Sequence, residues 1–205
     1  MKKIIYIIIT TILISCTSSE KLELKSNKSI SETFNESEIK DLQIILNFFN
    51  EQICDSKKLN NDSLNKCYEK YCSEIKSEMN LKGGFNPKID YKKQLELYEK
   101  INKENFNKIW KIGKSYNLRT KENFKDLELN YNGKYLDFLK KYGEENKTIH
   151  SYYESIKNSG DISPSTSAIL ILNYKLFEPS DIRSKLIIAI HYLTLNDDFN
   201  RNEKD

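Results

Sequence analysis

Between Phe34 and Ile53 the chain carries a pattern that a helix satisfies and a strand does not. Asn35 and Glu38 stand at capping-box spacing, where the Asn side chain accepts from the third amide and the Glu reaches back, and Phe34 and Ile39 flank them as a hydrophobic staple. Ile39, Leu42, Leu46, Phe49 and Ile53 then recur at three and four residues, which is one helical face. Ile44, Ile45 and Phe48 widen that face nearly all round, so this helix is expected to sit centrally in a bundle.

The same grammar continues downstream. A helix is expected over about 62–80 on Leu64, Tyr68, Tyr71, Ile75 and Met79, stopped by Gly83-Gly84. Another is expected over 90–112 on Tyr91, Leu95, Tyr98, Ile101, Ile109 and Ile112, with Phe106 and Trp110 on its flank, Gly113 behind it, and a bend or break at the apolar-free stretch 102–105. Leu127, Leu129 and Tyr131 alternate as a strand would, although 120–127 reads equally well as a short helix. Asn132-Gly133 is a turn, and Tyr135, Phe138, Leu139 and Tyr142 form the face of the helix after it. Thr148 is placed to cap a helix carrying Ile149, Tyr152, Tyr153 and Ile156. Ser163-Pro164 starts one carrying Ile169, Leu170, Leu172, Leu176 and Phe177, which Pro179 ends. Ser180-Asp181 opens the last helix, whose stretch 186–195 is expected to be buried against 39–53. The expected fold is therefore all-α, an irregular bundle of about six or seven helices. The alternative is an α+β arrangement with short strands near 127–131, 168–174 and 186–190.

The N-terminus sets the compartment. Lys2 and Lys3 lead an apolar run from Ile4 to Ile14 that ends in Ser15 before Cys16, the order of a secretory signal peptide with a core too short to span a bilayer stably. Leu13-Ile14-Ser15-Cys16 resembles the lipobox of bacterial lipoprotein precursors. That resemblance implies removal of residues 1–15, lipid on Cys16, and attachment of the mature chain to an envelope membrane, on the periplasmic or outer-membrane side. Residues 16–33, poor in sizeable apolar side chains, are expected to form a flexible tether, and 34–205 a single helical domain.

Composition excludes one class. Without Lys2 and Lys3 the 33 basic residues fall to 31 against 30 acidic ones, and the lysines are interleaved with glutamates and asparagines, so no nucleic-acid footprint is present. The leader sends Cys54, Cys67 and Cys72 to an oxidising compartment. If the first two helices of the domain pack antiparallel, Cys54 lies nearest Cys67, which makes these two the candidate disulfide and leaves Cys72 single. The alternative is that all three are small buried side chains. Cys67 and Cys72 point to different sides of a helix, which does not suit a metal. His150 and His191 are isolated, and His191 sits in the most apolar helix. Asp198, Asn200 and Asn202 imitate the start of a calcium loop without its glycine or closing glutamate. No catalytic, cofactor-binding or metal-ligating residue is assigned. Tyr91, Tyr98, Tyr135, Tyr142, Tyr152 and Tyr153, with Trp110, suit either half-buried bundle positions or a partner surface. The expected function is a membrane-anchored interaction or binding module of scaffold or immunity type. The alternatives are an envelope enzyme acting on a cell-wall or surface polymer and a small-molecule-binding lipoprotein.

Overall fold

The computed structural model describes residues 23–54, 60–119 and 121–201, and Cys16, with the leader, lies outside them. Among the described residues the protein is mostly helical, with nine α-helices and one two-stranded antiparallel ribbon. The helices are α1 (Lys28–Thr33), α2 (Glu36–Ile53), α3 (Asn61–Lys82), α4 (Tyr91–Lys100), α5 (Lys103–Phe106), α6 (Lys134–Gly143), α7 (Lys147–Ser159), α8 (Pro164–Asn173) and α9 (Ile182–Asn200). Strands β1 (Trp110–Asn117) and β2 (Glu122–Leu129) stand between α5 and α6.

The capping box of α2 is complete: Asn35 Oδ1 accepts from the Glu38 amide at 2.9 Å, and Glu38 Oε2 from the Asn35 amide at 2.8 Å. Glu38 is almost buried and also takes Lys134 Nζ at 2.7 Å, so one carboxylate caps α2 and ties it to α6. Ile39, Leu42, Ile45, Leu46 and Phe49 are buried, and α2 packs on α9 as well as on α3, α4 and α5. Every residue of α9 from Ser184 to Asp197 is buried, which makes it the axis on which the bundle closes.

The stretch 90–112 departs from expectation. Helix α4 ends at Lys100, Asn102 caps the one-turn α5, and Trp110 begins a strand. Ile109 and Ile112 are three apart as in a helix, while Trp110 and Ile112 are two apart as in a strand. Burial decides between these periods, because Trp110 pairs with Leu129 in the ribbon, both are fully buried, and the Trp110 indole N–H donates to Thr194 Oγ1 of α9 at 2.8 Å. Of the alternative strands, 168–174 and 186–190 are helical, and the third is realised as β2, which ends at Leu129. Leu172, within α8, and Leu176, within the 3-10 turn Tyr174–Phe177, are exposed rather than part of the buried face. Asn146 rather than Thr148 caps α7.

Residues 23–33 of the expected tether fold onto the domain, while 16–22 lie outside the described residues. Leu24–Ser26 form a 3-10 turn and Lys28–Thr33 form α1, with Leu24 and Ile30 fully buried. The Leu24 amide donates to Gln43 Oε1 at 2.8 Å and Asn27 caps α1. Composition weighed the average polarity of this segment, whereas two well-spaced apolar side chains are enough to seat it on α2 and α6.

Cys54, at the C-terminal end of α2, is joined to Cys67 of α3, with the two Cα atoms 5.6 Å apart. Cys72 is free and buried, and burial pushes its thiol up to about 12. Peptide mapping without reductant is expected to recover Cys54 linked to Cys67. Reduction should lower stability by about 3 kcal/mol, the chain-entropy value for a loop of this size, while Cys72 resists alkylation until the protein unfolds. Equal labelling of all three cysteines in the native, unreduced protein would refute this arrangement.

Candidate functional site

The ribbon root and the end of α9 enclose a half-open hollow of about 180 Å³, lined by Phe124, Lys125, Asp126, Asp161, Asp198 and Arg201. Register places Gly113 opposite Asp126 and Lys111 opposite Glu128. A methyl group on Gly113 would collide with Glu128 Oε1 and Asp126 Oδ1, so the missing side chain lets two carboxylates fold over the strand. Glu128 is neutralised by Lys111 Nζ at 2.6 Å. Asp126 Oδ2 accepts from Ser115 Oγ, while its Oδ1 is buried without a hydrogen-bond partner. Asp161 sits just past the αL glycine, Gly160, that ends α7, and it clamps β2 by accepting from the Leu129 amide at 3.0 Å.

Carboxylates gathered around one hollow raise the proton affinity of Asp161 and Asp198. Burial, followed by the charges of Asp161, Asp197 and Asp126, pushes the Asp198 carboxyl up to about 8, with Arg201 opposing. Asp161 is also raised, first by burial. Arg201 is held by Asp197 in a buried ion pair at 2.5 Å, which limits how far it can neutralise the hollow. The site can therefore accept a cationic group in exchange for a proton, or hold a protonated carboxyl beside other carboxyls.

Between pH 4 and 8 the folded chain holds a proton on Asp198 that the unfolded chain has lost, so stability is expected to fall as pH rises through that window. Asp198 retains substantial solvent exposure, which screens the effect. Denaturation midpoints measured from pH 4 to 8 should flatten in Asp198→Asn, and an unchanged slope would contradict the environment described.

The other candidate residues lie elsewhere. Tyr135, Tyr142 and Tyr152 are buried core residues, as is Trp110, and Tyr98 packs edge-on against Trp110. His150 is exposed, and His191 is fully buried with Nδ1 3.0 Å from the Tyr152 hydroxyl, its pKa pushed down to about 3 by burial. Among the described residues no three His, Cys, Asp or Glu side chains converge as metal ligands, and no helix is long and apolar enough to cross a membrane. Sequence reading missed the acidic hollow, because Asp126, Asp161 and Asp198 are far apart in the chain. Its one local trace was the alternation of Leu127 and Leu129, which aims Asp126 and Glu128 to the other face.

Fold and site define a mostly helical bundle with an appended β-ribbon and an acidic hollow at the ribbon's root. Comparison with protein-family models, curated proteins and solved structures finds no match for the chain.

Proposed function

We propose that this chain is a bacterial envelope lipoprotein, tied to a membrane by lipid on Cys16, that works as a protein-interaction or binding module of scaffold or immunity type. The observation that carries the binding role is the acidic hollow. At about 180 Å³ it is smaller than the roughly 300 to 1,000 Å³ clefts that enclose small ligands, and its three aspartates suit one basic side chain offered by a larger partner. A second hollow, of about 170 Å³, is lined by Gln52, Lys70, Glu74 and Lys88 with Tyr71 and the two isoleucines Ile53 and Ile75, and has no net acidic character. Crosslinking and pull-down of the lipidated protein from its own envelope is expected to capture a partner through a basic segment, with capture weakened by Asp198→Asn. Capture indifferent to Asp198→Asn would remove the hollow from the interface.

The anchor has its own test. Cys16→Ala is expected to move the protein from the detergent phase to the aqueous phase and to stop maturation at the lipobox. Membrane retention unaffected by the substitution would sink the lipoprotein reading.

One observation favours the enzyme reading. A carboxyl that keeps its proton to about pH 8 beside other carboxyls is the pairing that acid-base hydrolysis of a surface polymer uses. Cleavage of envelope polymer by the purified protein, abolished by Asp198→Asn, would move the assignment to that class.

A further inference from the structure

The chain's point of entry and the root of the ribbon are fastened to the same two turns of α2. On the entry side, Lys25 pairs with Glu36 at 2.9 Å and the Leu24 amide donates to Gln43. On the ribbon side, the Asn105 side-chain amide donates to Ser37 Oγ at 3.1 Å and to Asp41 Oδ2 at 2.7 Å, and Phe106 packs on Trp110. Both therefore belong to one end of the molecule.

Exposure rises along the ribbon away from that root. Trp110, Leu127 and Leu129 are fully buried, Ile112 is 47% exposed, Tyr116 53% and Leu118 85%. The outer half combines these apolar groups with Lys114, Arg119 and Lys121, against Glu122 as its carboxylate. An aromatic ring with a polar tip, an aliphatic side chain and several cations suit the headgroup layer of an anionic bilayer, where the rings settle at the interface and the cations meet phosphate.

Chain length supplies the reason for such an encounter. Leu24, the first buried residue among those described, lies eight positions after Cys16, and eight residues span at most about 27 Å when fully extended. A compact domain of this size is about 40 Å across. A leash shorter than the domain's own width keeps the end bearing Leu24 close to the membrane.

We propose that the tip of the β-ribbon, Tyr116 and Leu118 with the basic side chains around them, docks into the headgroup layer of the membrane that holds the lipid on Cys16. This rests on the lipoprotein reading. The ribbon acts as a second contact that fixes the orientation of the domain and turns the acidic hollow at its root along the membrane surface.

The test uses the mature lipidated protein reconstituted in vesicles of phosphatidylcholine with phosphatidylglycerol. An environment-sensitive fluorophore is attached at Leu118→Cys, and in a control at Leu81→Cys, which is equally exposed at the end of α3. A blue shift with a several-fold rise in emission at position 118, and none at 81, is expected on reconstitution. Mass measurement of the same samples reports acylation of Cys16. An acylated protein whose position 118 stays in water overturns the docking alone, whereas an unacylated Cys16 overturns the anchor and the docking together. Equal shifts at both positions, or a shift at 118 that appears only when envelope proteins are added, also overturn it, the latter in favour of a protein occupant.

Discussion

A chain beginning at Phe34 is expected to be less stable than one beginning at Glu23 by about 2 to 5 kcal/mol. Leu24 and Ile30 are fully buried, and each such aliphatic side chain contributes about 1.5 to 3 kcal/mol, offset in part by the entropy of ordering the segment. Truncation would also uncover Phe34, which packs on Phe138 of α6 with ring centroids 5.9 Å apart, and would break the Lys141 to Glu32 ion pair. The effect is comparable to Leu46→Ala in the centre of α2, which should cost about 2 to 5 kcal/mol through lost burial and the cavity left behind. Chemical denaturation of chains starting at Glu23 and at Phe34, beside Leu46→Ala, decides the matter. Equal midpoints for the two starting points would restore the tether reading for residues 23–33.

Lys185→Met is expected to stabilise the protein at pH 7 by about 1 to 2 kcal/mol and to destabilise it above pH 10. Lys185 is fully buried at the start of α9, donating to Asn65 Oδ1 at 2.7 Å and to the Ser180 carbonyl at 3.0 Å, with the Tyr68 ring 5.6 Å from its ammonium. Burial lowers its pKa to about 8 while Asp181 opposes. The folded chain therefore sheds this proton before the unfolded chain does, and the Lys185 contribution to stability rises between pH 8 and 10.5, by about 3 kcal/mol at 1.36 kcal/mol per unit. Below pH 8 the buried charge costs that amount, against the two hydrogen bonds that methionine would forfeit at about 1 kcal/mol each. Tyr68, Tyr71 and Tyr192, raised well above their ordinary range by burial, and Cys72 pull stability down at high pH. The readout is consequently the difference between Lys185→Met and the parent across pH 7 to 10.5. A difference that does not change with pH would show that the ammonium is hydrated in the folded protein.

Local signals in the sequence determined the mostly helical class and most of the helix boundaries. Asn35 with Glu38, Gly83, Gly160, Ser163-Pro164 and Asp181 each act within one turn of the chain, on amides and carbonyls that are left unpaired wherever a helix starts or stops. The burial of 186–195 against α2 was legible for a related reason, since a helix apolar all round has no face to give to water. Tertiary structure alone decided the rest. Ile109, Trp110 and Ile112 satisfy both periods, and the strand prevailed because pairing with Leu127 and Leu129 buries Trp110 against Thr194, 84 positions away. Leu24 and Ile30 looked like isolated apolar residues in a polar run, and only the surface offered by α2 and α6 gives them a place to be buried. The acidic hollow is the clearest case: Asp126, Asp161 and Asp198 are ordinary surface carboxylates one by one, and the shared desolvation that makes Asp198 hold its proton exists only once a ribbon, the end of α7 and the end of α9 converge.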